Sequence, residues 1–152
     1  MTRCSIETLS KLVKSNMHAL EWSSGSSTIW FLERVATLHT IEHDLKWLNN
    51  VRDYVRDRMG KSFSDRCTYV HVAATKLVTK GSEDAVWNDD GGTSYSFKNY
   101  VLKAIELPRK KFDIISIDGR ARSQCLKLVL DNSLLVSSGY TNFRQCRTFG
   151  IC

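Results

Sequence analysis

Apolar and polar positions in this chain switch between a helical and a strand-like period, and each switch marks an element. Ile6, Leu9, Leu12 and Val13 recur at helical spacing, which predicts an amphipathic helix over 6–16. A short apolar run at 17–21 reads as a strand, followed by a Ser/Gly loop. The helix over 28–35 would then be capped by Ser26 or Ser27, whose hydroxyls accept orphan amide hydrogens. Residues 37–42 form a second strand, and 44–59 a longer helix with Leu45, Leu48, Val51 and Val55 in phase, closed by Gly60. "CTYVHVAA", 67–74, is the third strand, and 76–92 is a polar, turn-rich surface excursion. A helix over 95–107 stops at Pro108, the only proline in the chain. "FDIISID", 112–118, is the clearest buried strand; a helix over 121–136 follows, with a weak strand signal, "YTNF", after it.

Strand–helix alternation predicts an α/β fold, a mostly parallel sheet with helices on both faces. Right-handed crossovers make such a sheet doubly wound, and its ligands bind beyond the carboxyl ends of the strands. Glu21, Glu42 and Asp118 all fall at those ends.

Composition narrows the class. At 152 residues, with 42% apolar and 25% charged positions, the chain is expected to be one domain, 1–152, with its cofactor-binding half at about 17–75 and its fourth-strand block at 111–136. No stretch reaches the eighteen apolar residues that a membrane span needs, and the N-terminus alternates too closely for a signal peptide, so a cytoplasmic setting is expected. Five scattered cysteines without a Cys-x-x-Cys pair read as free thiols. The net charge of +6 is mostly interleaved with acids; only "PRKK", 108–111, is compact, so nucleic-acid binding is weakly signalled. His39 and His43 stand too far apart along a strand to share a metal, and no metal site is expected.

The loop between the first strand and helix decides the ligand. It lacks the P-loop spacing and, with Gly25 as its single glycine, the G-x-G-x-x-G of a dinucleotide site. Glu21 would also repel a pyrophosphate, by about 4 kcal/mol at 4 Å and an effective dielectric near 20. S-adenosyl-L-methionine fits better. Its carboxylate suits loop amides, its ammonium and sulfonium suit Glu21, and Glu42, twenty-one residues on, is placed for the ribose hydroxyls.

"ALEWSSGSSTIWF", "LHTIEHDLKWLNNV", "SFKNYVLKAI" and "FDIISIDGRARSQCL" together resemble the class I S-adenosylmethionine-dependent methyltransferases, over residues 20–128. The likeness is to a branch with an E-x-G-S-G-x-S-T loop, an "-IEHD--W-" second strand and "DGRAR--C" after the fourth. It implies a Rossmann-like fold, with Glu21, Ser24, Gly25 and Ser26 lining the methionine part of the cofactor. Glu42 would hold the ribose with His43 beside the adenosine, and Asp118 would close the site. Asp118 and His43 are the candidates for the general base, the alternative for Asp118 being a helix cap. Trp22, Trp30 and Trp47 could stack on adenine or a substrate ring, but Trp30 and Trp47 are rather expected in the core, and Tyr95 and Tyr100 either in a lid or in the core and surface.

Two departures stand out. The family usually has glycine at the position of Ser23 or Ser24, and a serine held there at positive φ would cost on the order of 1 kcal/mol. The family's last strands are also expected to be absent from this sequence, which would leave an exposed sheet edge that invites a second copy. The resemblance implies methylation of an oxygen on a sugar or another small hydroxylated acceptor. An RNA or DNA methyltransferase and a truncated, non-catalytic cofactor-binding domain are the alternatives.

Overall fold

The computed structural model describes residues 3–77, 86–88 and 94–143. Most of the excursion expected over 76–92 lies outside them, as do Cys146 and Cys152. Five parallel strands form the central sheet: β1 (His18–Trp22), β2 (Thr37–Glu42), β3 (Cys67–His71), β6 (Phe112–Ile117) and β7 (Leu135–Phe143). Their spatial order is β3-β2-β1-β6-β7, so the chain starts mid-sheet, winds outward to β3, then crosses back to β6. The switch point falls between β1 and β6, which pair from Ala19↔Ile114 to Trp22↔Ile117.

Period-two alternation explains both cores. Leu20, Trp22, Ile41, Ile115 and Ile117 point to one face and pack on Tyr100, Val101 and Ala104 of α5 (Lys98–Glu106) and Cys125, Leu128 and Val129 of α6 (Arg122–Asp131). Ala19, Leu38 and Ile114 point to the other and pack on Leu9 of α1 (Arg3–Leu12) and on Phe31 and Leu32 of α2 (Ser26–Leu32). The sheet is doubly wound, with helices on both faces, as expected.

Several boundaries differ from the sequence expectation. β1 ends at Trp22 rather than Glu21, which places Glu21 inside the strand. The second long helix is α3 (Leu45–Tyr54), extended by one π turn over Val55–Met59 and stopped by Gly60, at φ 95°. A four-residue helix, α4 (Lys61–Ser64), leads into β3. Thr75–Lys76 (β4) and Tyr95–Ser96 (β5) form a separate antiparallel pair too short to leave a pattern. The helix expected to run to 136 ends at Asp131, and β7 is a full nine-residue strand rather than a weak signal.

β7 bends. Leu135 pairs with Phe112 and Tyr140 with Ile114, so five steps of β7 match two of β6, and Gly139 sits where a Cβ would stand 3.0 Å from the Val136 carbonyl. Among the described residues β7 is an edge strand with β6 as its sheet partner. No helix in that set is long and apolar enough to cross a membrane.

Candidate functional site

The expected acidic pair does converge, on opposite sides of the loop that joins β1 to α2. Glu42, at the end of β2, is buried and collects donors from two loops. Its Oε2 accepts from the Ser24 amide at 2.9 Å and from the Ser23 and Ser24 hydroxyls, each at 3.3 Å. Its Oε1 accepts from the amides of His43 and Asp44 at 2.8 and 3.1 Å, and the His43 Nδ1 lies 2.7 Å away. Burial alone would raise its pKa, but the imidazole and those amides overcome this and hold it down to about 2. Glu42 is therefore an anion that ties the two loops together.

Glu21 is the opposite case. It lies on the α2 face in the middle of a registered polar row, Thr40–Glu21–Ser116–Asn142, drawn from β2, β1, β6 and β7. Asn142 donates to the Ser116 hydroxyl at 3.2 Å. Glu21 itself is only 1% exposed, and its Oε1 accepts from the Thr28 hydroxyl, while Oε2 has no hydrogen-bond partner. Burial pushes its pKa up to about 7, against the pull of the Thr28 hydroxyl.

Thr28 links this carboxyl to the loop, because the Gly25 amide donates to its Oγ1 at 2.8 Å. Gly25, not Ser26 or Ser27, occupies the helix cap position; Ser26 is exposed and Ser27 buried within the first turn. A threonine three residues after the cap can return a hydroxyl to the cap amide, so the sequence needed no serine in that place.

Ser23 adopts φ 83°, in the left-handed region, the conformation on which the cost considered for Ser23 or Ser24 depends. Ser23→Gly is expected to stabilise the fold by about 1 kcal/mol, since it releases that strain and gives up only one long hydroxyl contact. Urea unfolding of the two proteins checks this; equal midpoints would show that Ser23 is held without strain.

Trp47 was expected in the core, but it is half exposed. It lies over the loop, its Nε1 donating to the Ser24 carbonyl at 2.8 Å and its ring 3.9 Å from where a Gly25 Cβ would be. The N-cap Asp44 accepts from the Trp47 amide, which fixes the ring's point of departure. Trp30 packs edge-on against Phe31 beneath Arg34. Trp22 is fully buried and bonds the Tyr100 carbonyl at 3.2 Å. Tyr100 is likewise in the core, its ring edge-on to Phe97 and His43.

Asp118 follows the end of β6 and donates its amide to the Trp22 carbonyl across the switch point, at 3.3 Å. It does not occupy the cap position of α6, which belongs to Ala121 at φ 49°. The histidines expected not to share a metal have separate surroundings: His39 is buried edge-on to Phe112, while His43 is partly exposed beside Glu42. Burial, with Arg109 and His18 nearby, lowers the His39 pKa. Among the described residues no group of three His, Cys, Asp or Glu side chains is placed to hold a metal ion, and Cys67 and Cys125 are free thiols.

Solved structures resemble this chain in fold. A precorrin 8W decarboxylase from Methanobacterium thermoautotrophicum superposes with a TM-score of 0.58 at 15% identity, over 91% of this chain and 59% of that one. YjhP from E. coli gives a TM-score of 0.54 at 14% identity, over 93% of this chain and 48% of its own. The fold is Rossmann-like. At such identities the likeness is one of fold, and this Rossmann-like chain spans about half to three-fifths of the neighbours' lengths. No family model matches the sequence, and no curated protein matches it significantly.

Proposed function

We propose that this Rossmann-like domain binds S-adenosyl-L-methionine at the carboxyl ends of β1, β2 and β6 and directs its methyl group to an oxygen of a small hydroxylated acceptor, a sugar being the leading class. The observation that carries this reading is the pairing of Glu21 and Glu42 across the Ser23–Gly25 loop, which suits a ligand with both cationic and hydroxyl groups. A pyrophosphate ligand would meet two carboxyls there.

The residues fit the cofactor in a definite way. Two of the bonds to Glu42, those from the Ser23 and Ser24 hydroxyls, are the longest at 3.3 Å. A ribose diol can replace both and leave the three backbone amides in place. Ser24, Gly25 and Ser26 would border the methionine part, and its positive charge would favour the ionised form of Glu21, which is buried behind the loop. The ligand supplies a methyl group activated by sulfonium.

The protein positions the acceptor hydroxyl in line with that methyl and removes its proton. Glu42 stands 2.7 Å from the His43 Nδ1, which orients the ring and leaves Nε2 to take the proton. Asp118, at the end of β6, is the second candidate.

"PRKK" favours a small acceptor over a nucleic acid. It leads into the amino end of β6, whose six residues separate it from Asp118 by about 20 Å. The basic cluster is therefore at the far end of the sheet from the proposed mouth.

Transfer of labelled methyl to a panel of hydroxylated acceptors tests the reaction. His43→Ala is expected to lower the rate by about 100-fold with a changed pH profile. Asp118→Asn carrying that loss, with His43→Ala unaffected, would move the base to Asp118. No transfer to any acceptor by a protein that binds the cofactor would leave the non-catalytic alternative.

A further inference from the structure

The edge of the sheet at β7 lacks the protection that monomers give such a strand. An edge presents a row of unpaired N–H and C=O groups, and monomeric proteins blunt it with lysine, proline, a short strand or a bulge. β7 runs for nine residues, Leu135–Phe143, with no charged residue and no proline. Its one protective device is the bend between Leu135 and Tyr140, which turns only the first half. From Tyr140 to Phe143 the strand steps evenly with Ile114 to Ile117 of β6. Among the described residues no strand lies on its outer side.

A recess lies beside this regular half. A cavity of about 470 Å³ opens between α1 and β7, walled by Leu9 and Leu12 on the helix and by Gly139, Tyr140 and Asn142 on the strand. Among the described residues none that lines it is charged. Tyr140 and Asn142 step with Ile114 and Ser116 and share the α1 face, while Thr141 steps with Ile115 and shares the α5 and α6 face. Tyr140 is 38% exposed, a large aromatic side chain at the rim of the sheet. A strand edge beside an apolar recess suits strand addition, in which main-chain hydrogen bonds give affinity and the recess takes an alternate side chain.

We propose that β7 pairs antiparallel with β7 of a second copy, about a twofold axis at Thr141, and so joins two sheets into one. The strand is compatible with itself. It carries no charge, so two copies of a chain with a net charge of +6 meet along it without facing like charges. Directly opposed residues of an antiparallel pair share a face, so an axis at Thr141 sets each Tyr140 opposite Asn142 of the other copy. Asn142 is a wall of the cavity, and each exposed phenol ring therefore covers the recess of the other copy. Thr141 meets its own equivalent on the opposite face, as a cross-strand threonine pair.

Sedimentation equilibrium of the full chain is expected to show a reversible monomer–dimer equilibrium. Thr141→Lys sets two ammonium groups face to face at the axis and Thr141→Glu two carboxylates, and each variant alone is expected to weaken the dimer by about tenfold or more. An equimolar mixture of the two restores it, because lysine then faces glutamate. Tyr140→Ser is expected to weaken the dimer without lowering the melting temperature. A chain that stays monomeric up to millimolar concentration overturns the proposal, as does a dimer that neither charge variant weakens. Charge variants that dissociate but are not rescued by mixing overturn the Thr141 axis. If the charge variants do not fold, a dimer that persists undiminished in folded Tyr140→Ser overturns the proposal instead.

Discussion

Glu21→Gln is expected to stabilise the protein by about 3 kcal/mol at pH 8 and by almost nothing at pH 4. The carboxyl's pKa is raised by burial from 4.5 to about 7 in the folded state. A raised acid pKa means that the folded chain holds a proton which the unfolded chain has released, so stability falls as pH rises through this interval. At about 1.4 kcal/mol per tenfold change in proton affinity, the whole penalty is about 3 kcal/mol once pH exceeds 7. Glutamine keeps an oxygen for Thr28 and carries no charge to desolvate. Urea denaturation of both proteins from pH 4 to pH 8 checks this. A gain that does not change with pH would show that Glu21 has the same proton affinity in the folded and unfolded chain.

Glu42→Gln should have the opposite sign and the opposite pH dependence. Its pKa is depressed from 4.5 to about 2, so the carboxylate contributes stability that is present above pH 4.5 and lost as pH falls towards 2. Full conversion of that depression would exceed 3 kcal/mol; allowing for screening near the sheet's edge, about 2 kcal/mol is expected at pH 7. An amide cannot satisfy the same set of donors, because its own NH₂ would face the backbone N–H groups. The loss should vanish near pH 2. If Glu42→Gln is neutral at pH 7, the two loops are held by something other than this anion. Together the two carboxyls place the stability maximum near pH 5, where Glu42 is charged and Glu21 is not.

What the sequence revealed of this fold follows burial. β2 was legible to the residue, and β6 within one, because their side chains are buried along nearly the whole strand and β-branched and other apolar residues mark both. β7 was obscured because it lies at the edge, half of it wet, with Ser137, Ser138 and Gly139 making its bend. The helical period of α6 also continues into Leu134 and Val136, which hid the turn at Asn132 and Ser133. Two-residue strands such as β4 carry no period at all.

The site divides in the same way. Acids that close apolar runs announced Glu21 and Glu42, and the family likeness pointed to Ser23 or Ser24 as a place where glycine is usual; the backbone puts the positive φ at Ser23. The contrast between the two acids was not legible. It depends on Glu21 sitting one residue inside its strand, beneath α2, while Glu42 ends its strand among open amides. Thr28 as the bridge and Trp47 as the cover depend on how α2 and α3 leave their loops. Tyr100 reaches the switch point from a helix nearly eighty residues later, and only packing on Trp22 brings it there.

The cofactor site is the claim on which the functional account rests, and calorimetric titration of the wild-type chain with S-adenosylhomocysteine at pH 7 tests it most directly. The account predicts saturable binding at one site with a micromolar dissociation constant, weakened in a folded Glu42→Gln variant. A folded protein that takes up no S-adenosylhomocysteine at millimolar ligand would contradict it.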